Sequence, residues 1–237
     1  MNKIKAVFFD IDDTLYDSTL QTEMVRRNAI KAMIEAGLDI GEEDGLEALK
    51  DIVKEFGSNY QYHFDELLKK FGYDENPRII AAGIVAYHTT KLAYLVPFAD
   101  TIPTLLALRD KGYKLGIITD GVAVKQWEKL IRLGLQHFFH AVVISEEIKK
   151  EKPDIEIFRL AAERIGCKPE ETAMVGDRLD KDILGANRAG MVTIQIVKGK
   201  YRGQMPKDKE EEPNYVISSL KEILRIFRSD NLAKSGF

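Results

Sequence analysis

The sequence predicts an α/β fold: a mostly parallel sheet with helices on both faces, interrupted by an inserted bundle of four helices. Three observations predict it. Short apolar runs rich in β-branched residues recur through the second half of the chain. Amphipathic helical patterns separate these runs, which is the alternation of a parallel sheet covered by crossover helices. The first apolar run, "IKAVFF", is followed by helical patterns over residues 18–92 in place of a single crossover helix.

"IKAVFF" reads as a strand buried on both faces. The first inserted helix begins at Ser18, with Gln21 at capping-box spacing, and carries Val25, Ala29, Ala32, Met33 and Ala36 before Gly37. Leu46, Leu49, Ile52, Val53 and Phe56 define a second helix, and Phe64, Leu67, Leu68 and Phe71 a third. The fourth opens on Asn76-Pro77, a capping residue followed by proline at the first helical position. Four such helices with short links can pack as a small bundle. The joints fall near 15–19 and 93–98, so a rigid sheet carrying a hinged lid follows.

Beyond Pro97 the rhythm changes. Strands are expected at 113–118, 141–144, 172–175 and 192–197, with helices near 101–111, 123–133, 154–165 and 181–189. On the 123–133 helix, Val124, Trp127, Leu130 and Ile131 are expected on one apolar side, with Trp127 as a core residue. The polar stretch 198–214 reads as a surface loop. Ser219 and Glu222 form a capping-box pattern before a terminal helix, and the last few residues are expected to fray.

Composition narrows the function classes. The net charge is −3, from 38 acidic and 35 basic residues, with no recurring basic block, so a nucleic-acid partner is not expected. No apolar run approaches the ~20 residues that span a bilayer, and no signal peptide is evident, so the expectation is a cytoplasmic protein without a membrane partner. The single cysteine, Cys167, excludes an internal disulfide framework. Monomer and homodimer both stay open.

Ligands of open parallel sheets bind beyond the carboxyl ends of the strands. There the chain places Asp10, Asp12, Asp13 and Thr14 after the first strand, and Thr119, Asp120 and Gly121 after the second. Glu146, Glu147 and Lys152 follow the third, and Gly176, Asp177, Asp180 and Asp182 the fourth. Any one acid at a strand end is by default a turn residue. Lys152 alone could be a solvated member of "KKEKP", and Thr119 alone a capping hydroxyl. The gathering of all these tips argues for a site. Asp10 and Asp12, two residues apart, share one face if the backbone stays near-extended. Carboxylates so close repel, so either one is protonated or a cation joins them. A hard divalent ion such as Mg²⁺ takes oxygen ligands of this kind, and Asp177 could complete the set.

These residues resemble the four motifs of the haloacid dehalogenase-like hydrolases. "DIDDT" resembles the first, "ITDG" at 118–121 the second, Lys152 before Pro153 the third, and "GDRLDKD" at 176–182 the fourth. The resemblance implies a Rossmann-like core over 1–17 and 94–237 with an inserted four-helix cap over 18–93. It implies Asp10 as nucleophile, Asp12 as general acid and base, and Thr119 and Lys152 completing the catalytic set. It implies phosphate binding by Asp10, Thr119, Asp120, Gly121 and Lys152. Mg²⁺ would be held by Asp10, Asp12 through its carbonyl, Asp177 and Asp182. Two departures stand out: Arg178 follows "GD" where the family often has Ser or Thr, and Asp180 competes with Asp182, which aligns better.

Within that family the acid at Asp12 favours phosphate ester hydrolysis. An alkoxide needs a proton as it leaves, whereas a halide does not. The alternatives are a 2-haloacid dehalogenase, a phosphomutase, and a catalytically idle small-molecule binding protein. A small helical lid suits a small phosphorylated metabolite, of the sugar, glyceraldehyde or glycolate phosphate type. Tyr16, His88 and Lys91 are the candidate specificity residues.

Overall fold

The computed structural model describes residues 3–232, with side chains to residue 227. The expected fraying at the C-terminus therefore lies outside the described residues. The chain divides into two compact units, Met1–Ser18 with Leu95–Phe237, and Thr19–Tyr94.

The first unit is built on a six-stranded sheet. Its strands are β1 (Ala6–Phe9), β2 (Lys114–Thr119), β3 (Ala141–Ile144), β4 (Thr172–Gly176), β5 (Val192–Ile196) and β6 (Tyr215–Ile217). The spatial order is β3-β2-β1-β4-β5-β6 and every pairing is parallel. β1 sits between β2 and β4, and its fully buried AVFF explains why an alternating pattern is missing from the sequence there. Successive side chains of β1 enter different cores, as the period of two requires. Val7 and Phe9 join Leu105 and Leu108 of α5 (Thr101–Asp110), Leu130 of α6 (Ala123–Arg132), and Ile223 and Phe227 of α10 (Ile223–Leu232). Ala6 and Phe8 join Ile157, Phe158, Ala161 and Ala162 of α8 (Ile155–Arg164) and Ala186 of α9 (Leu184–Ala189). Helices thus cover both faces.

Several local features depart from the expectation. A one-turn helix, α7 (Ser145–Ile148), follows β3 directly. The three-residue edge strand β6 is too short to leave a periodic signal, and its central Val216 is exposed. The helix expected at 181–189 opens as a π-helical turn over Leu179–Ile183 before α9. On α6 the buried residues are Gln126 and Leu130, whereas Val124 is 77% and Ile131 56% exposed. Trp127 does pack against the core, partly buried. The 198–214 stretch contains two short 3₁₀ turns and is tied down by Asn187 Nδ2, which donates to the Glu210 and Glu212 carbonyls at 2.6 and 2.9 Å. At the terminal helix Glu222 accepts the Ser219 N–H at 2.9 Å, as the capping spacing predicts, while the Ser219 hydroxyl donates to Asp100 at 2.6 Å.

The insertion leaves and re-enters this unit at paired backbone segments. Tyr16 and Pro97 form a bridge, and the Leu15 carbonyl accepts from Phe98 N at 3.0 Å and Thr101 Oγ1 at 2.8 Å.

The second unit holds α1 (Ser18–Glu35), α2 (Glu42–Phe56), α3 (His63–Lys70) and α4 (Pro77–Ala93). Its own core comprises Ala29, Ile30, Met33, Leu46, Leu49, Ile52, Phe64, Leu67 and Ile79, among others. Asn76 caps α4 by accepting from Ile79 N at 3.3 Å, with Pro77 at the first position. Gln21 donates to the Lys91 carbonyl at 2.7 Å, joining α1 to α4.

Candidate active site

Three carboxylates meet beyond the ends of β1 and β4. Asp10 directly follows β1, Asp177 directly follows β4, and Asp182 lies in the π-helical turn. One oxygen from each lies within 4.8 Å of the others, and the residues are only 7%, 4% and 1% exposed. The π turn folds Asp182 back so that its Oδ2 accepts Arg178 N–H at 3.1 Å. That return needs glycine at 176, because a Cβ there would run into the Asp182 carboxyl group. Asp180 faces the other way and pairs with Arg178 at 2.5 Å. Arg178 also lies over the Tyr201 ring, 4.6 Å from its centroid, so it is taken up by its own neighbours.

Lys152 closes the group. Its ammonium donates to Asp10 Oδ1 and Asp182 Oδ1 at 2.6 Å each and to the Ile118 carbonyl at 3.2 Å, and it is 4% exposed. Burial alone would lower its proton affinity; Asp10 and Asp182 outweigh that and raise it, so it stays charged. Three carboxylates against one ammonium leave a surplus of two negative charges when all are ionised, which matches a divalent cation. The all-oxygen donor set suits a hard ion such as Mg²⁺.

Without a cation, part of that surplus is held as protons. Burial is the largest cause of raising Asp10 to about 7, with Lys152 opposing and Asp182 and Asp12 adding to it. Burial, then Asp182 and Asp10, raises Asp177 to about 9. Both carboxyls are raised above their unfolded values, so the folded chain binds more protons than the unfolded one between roughly pH 4 and pH 9. Their contribution to stability is complete below about pH 4 and is lost as pH rises through 7 and 9. A bound divalent cation removes the penalty. The expected result is that Mg²⁺ raises the melting temperature little at pH 5 and progressively more at pH 7 and 9, relative to EDTA. Asp177→Asn should flatten that trend; an Mg²⁺ effect independent of pH would contradict it.

Asp12 does not join the triad through its side chain. Its Oδ1 accepts from Tyr16 Oη at 2.6 Å, and Lys129 Nζ of α6 donates to Oδ1 and Oδ2 at 2.8 and 2.6 Å. Asp10 is thus paired with Lys152 and Asp12 with Lys129. The left-handed Asp13 (φ 55°) carries the chain through this turn. Burial would raise the Asp12 carboxyl, but Lys129 and Tyr16 outweigh it and hold it below its ordinary value.

The remaining predicted residues fall as follows. Thr119 ends β2, fully buried, with its hydroxyl 3.4 Å from Gln126 Oε1. Asp120 accepts from Lys152 N at 2.9 Å and from Lys181 Nζ at 2.7 Å. Gly121 has φ +122°, a conformation that requires glycine, and its N–H donates to Ser145 Oγ at 2.9 Å. Tyr16 is 1% exposed with its hydroxyl committed to Asp12. His88 and Lys91 belong to α4 of the second unit, with the exposed His88 ring edge-on to Tyr87. Sequence reasoning missed Lys129, Gln126 and Lys181. Gln126 and Lys129 lie three residues apart on one face of α6, and that spacing was the available signal.

Residues 4–190 match the haloacid dehalogenase-like hydrolase family. The chain is 58% identical over 227 residues to a glyceraldehyde 3-phosphate phosphatase of Methanopyrus kandleri, covering 95% of this chain and 97% of that protein. A protein of the same name from Methanocaldococcus jannaschii is 48% identical over 226 residues, covering 95% and 98%. Among solved structures, an HAD phosphatase from Thermococcus onnurineus aligns with a TM-score of 0.65 at 30% identity, covering 94% of this chain and 97% of that one. YfnB of Bacillus subtilis, crystallised bound to magnesium, aligns with a TM-score of 0.67 at 25% identity, covering 95% and 99%. With its six-stranded parallel sheet and matching sequence, the chain belongs to the haloacid dehalogenase-like hydrolase family.

Proposed function

We infer that this chain is a Mg²⁺-dependent phosphatase that hydrolyses the phosphate monoester of a small metabolite, of the glyceraldehyde 3-phosphate class, through an aspartyl-phosphate on Asp10. The observation that carries the reading is the buried Lys152, shared at 2.6 Å between Asp10 and Asp182 with Asp177 alongside. The substrate class rests on the relatives that bear that name at 58% and 48% identity. Residues 1–17 and 94–237 are taken as the catalytic core and 18–93 as a cap domain. Phosphorylated metabolites are held inside cells, so a cytoplasmic location goes with the proposal; the protein would work as a monomer or homodimer.

Asp10, Asp177 and Asp182, with the Asp12 carbonyl, would hold Mg²⁺. When bound, the ion supplies charge that offsets the repulsion between a carboxylate and a phosphate dianion. Lys152 steadies the Asp10 carboxylate and contributes a second positive charge. An Asp10 oxygen attacks phosphorus while the bond from phosphorus to the alcohol oxygen breaks. Asp12, ionised in the free protein beside Lys129 and Tyr16, takes the proton of the substrate's phosphate monoanion and hands it to the departing alkoxide, ending as a carboxylate. It then takes a proton from water, whose oxygen attacks phosphorus and releases orthophosphate and free Asp10. Thr119 and backbone N–H groups of the loop after Asp10 surround the charge on the equatorial oxygens. A dehalogenase would have no use for the Asp12 proton.

The test uses purified protein with p-nitrophenyl phosphate, with and without Mg²⁺, followed by a panel of phosphorylated metabolites that includes glyceraldehyde 3-phosphate, and separately 2-chloropropionate. The expected result is Mg²⁺-dependent phosphate release, fastest on a three-carbon or sugar phosphate. Halide release without metal would reverse the reading.

A further inference from the structure

Helix α6 sends two polar side chains to the strand tips from one face. Gln126, 6% exposed, meets the Thr119 hydroxyl, and Lys129, three residues on, grips both oxygens of Asp12. Neither belongs to the four motifs, and no part of the proposed reaction uses them. The Lys129–Asp12 pair differs from an ordinary surface ion pair, which contributes little. Its ammonium reaches Oδ1 and Oδ2 at 2.8 and 2.6 Å, and a second donor, the buried Tyr16 hydroxyl, meets Oδ1 at 2.6 Å. Two donors approaching from different elements fix both the rotamer and the plane of the carboxylate. The Asp12 side chain nevertheless keeps 40% of its surface open, and Lys129 keeps 19%. The carboxylate is therefore held in place without being closed off.

We propose that Lys129, assisted by Tyr16, is a positioning residue that aims the Asp12 carboxyl at the leaving-group oxygen. The inference rests on the phosphatase reading above and goes beyond it, because the motifs assign Asp12 its role but say nothing of what orients it. A lysine on the helix after β2 supplies that orientation through a charge-assisted contact. The same helix therefore brings Gln126 to within 3.4 Å of the Thr119 hydroxyl and Lys129 onto Asp12.

The consequence is selective. A misaimed proton donor slows the expulsion of a poor leaving group, which needs the proton, and spares a good one, which does not. Lys129→Met should lower the first-turnover rate on an alkyl phosphate by about 10²-fold, the cost of roughly an ångström of misplacement. The first-turnover burst on 2,4-dinitrophenyl phosphate should change less than about threefold, because that phenolate leaves without proton help. KM for the alkyl phosphate should stay within about twofold, since the phosphate contacts are untouched. Lys129→Arg, which restores a bidentate donor, should recover most of the rate, and Tyr16→Phe should show a smaller loss of the same selectivity. Equal losses on both esters would make Lys129 a phosphate-binding or purely structural residue and overturn the proposal, as would an unchanged alkyl phosphate rate in Lys129→Met. The outcome separates from failure of the broader reading: wild-type protein inactive on both esters with Mg²⁺ would remove the phosphatase assignment itself, whereas an active wild type with an unselective Lys129→Met removes only the aiming role.

Discussion

Asp10→Asn is expected to lower kcat by at least about 10⁴-fold, the scale seen when a covalent nucleophile is removed. The amide is isosteric and can still accept from Lys152, so the fold should be kept while the nucleophile is lost. Acid-quenched intact mass spectrometry should show a phosphorylated enzyme for the wild type caught during turnover and none for the variant. The substitution also removes one of three crowded carboxylates, two of which are strongly raised by burial and by each other. In EDTA at pH 8 the variant should therefore melt no lower than the wild type. Preserved hydrolysis in Asp10→Asn would end the aspartyl-phosphate mechanism, whatever the assay substrate.

Lys152→Met carries the second large effect, and it acts on stability as well as on activity. Lys152 is the cation paired with both Asp10 and Asp182 at 2.6 Å in a site almost closed to solvent. Removing one partner of a buried ion pair leaves the other uncompensated, at a cost of about 3–5 kcal/mol. Urea unfolding in EDTA at pH 8 should show a loss of that size, and phosphate release should fall to background. Mg²⁺ should return part of the lost stability, because an ion bound to the same carboxylates replaces the missing charge. A loss below about 1 kcal/mol would mean that the carboxylates are far better hydrated than their burial indicates.

These two residues also show how much of the site was readable beforehand. Asp10 and Asp177 directly follow β1 and β4, Asp182 lies in the π turn just beyond Asp177, and Lys152 lies in the loop between α7 and α8, so these residues come from three separate stretches of the chain. A parallel sheet gathers its strand ends at one edge, so locating the strands located the carboxylates. Alignment with the fourth motif favours Asp182 over Asp180, and in the fold Asp182 is the one that lies with Asp10 and Asp177. A π turn and Gly176 let Asp182 fold back to Arg178 N–H, while Asp180 pairs with the Arg178 side chain. The expectation for α6 was less successful. Val124 and Ile131 were expected to face inward with Trp127 and Leu130, because apolar residues at helical spacing normally mark the core face. In the fold Val124 and Ile131 are exposed, and the inward side is shared with Gln126 and Lys129, whose polar groups serve the strand tips.

The α/β class, the four inserted helices, the acids at the strand ends and the lysine that follows β3 could all be read from the linear chain. These follow from periodicity and local spacing, which a linear chain displays in full. Which positive charge meets which carboxylate is settled only when the chain folds. Lys152 goes to Asp10 and Asp182, Lys129 and Tyr16 go to Asp12, and Lys181 goes to Asp120. Four of those five contacts join residues at least 30 positions apart, so their partners are chosen by sheet order and by burial, and a lysine on a helix surface looks the same in sequence whether it faces water or an acid at a strand tip.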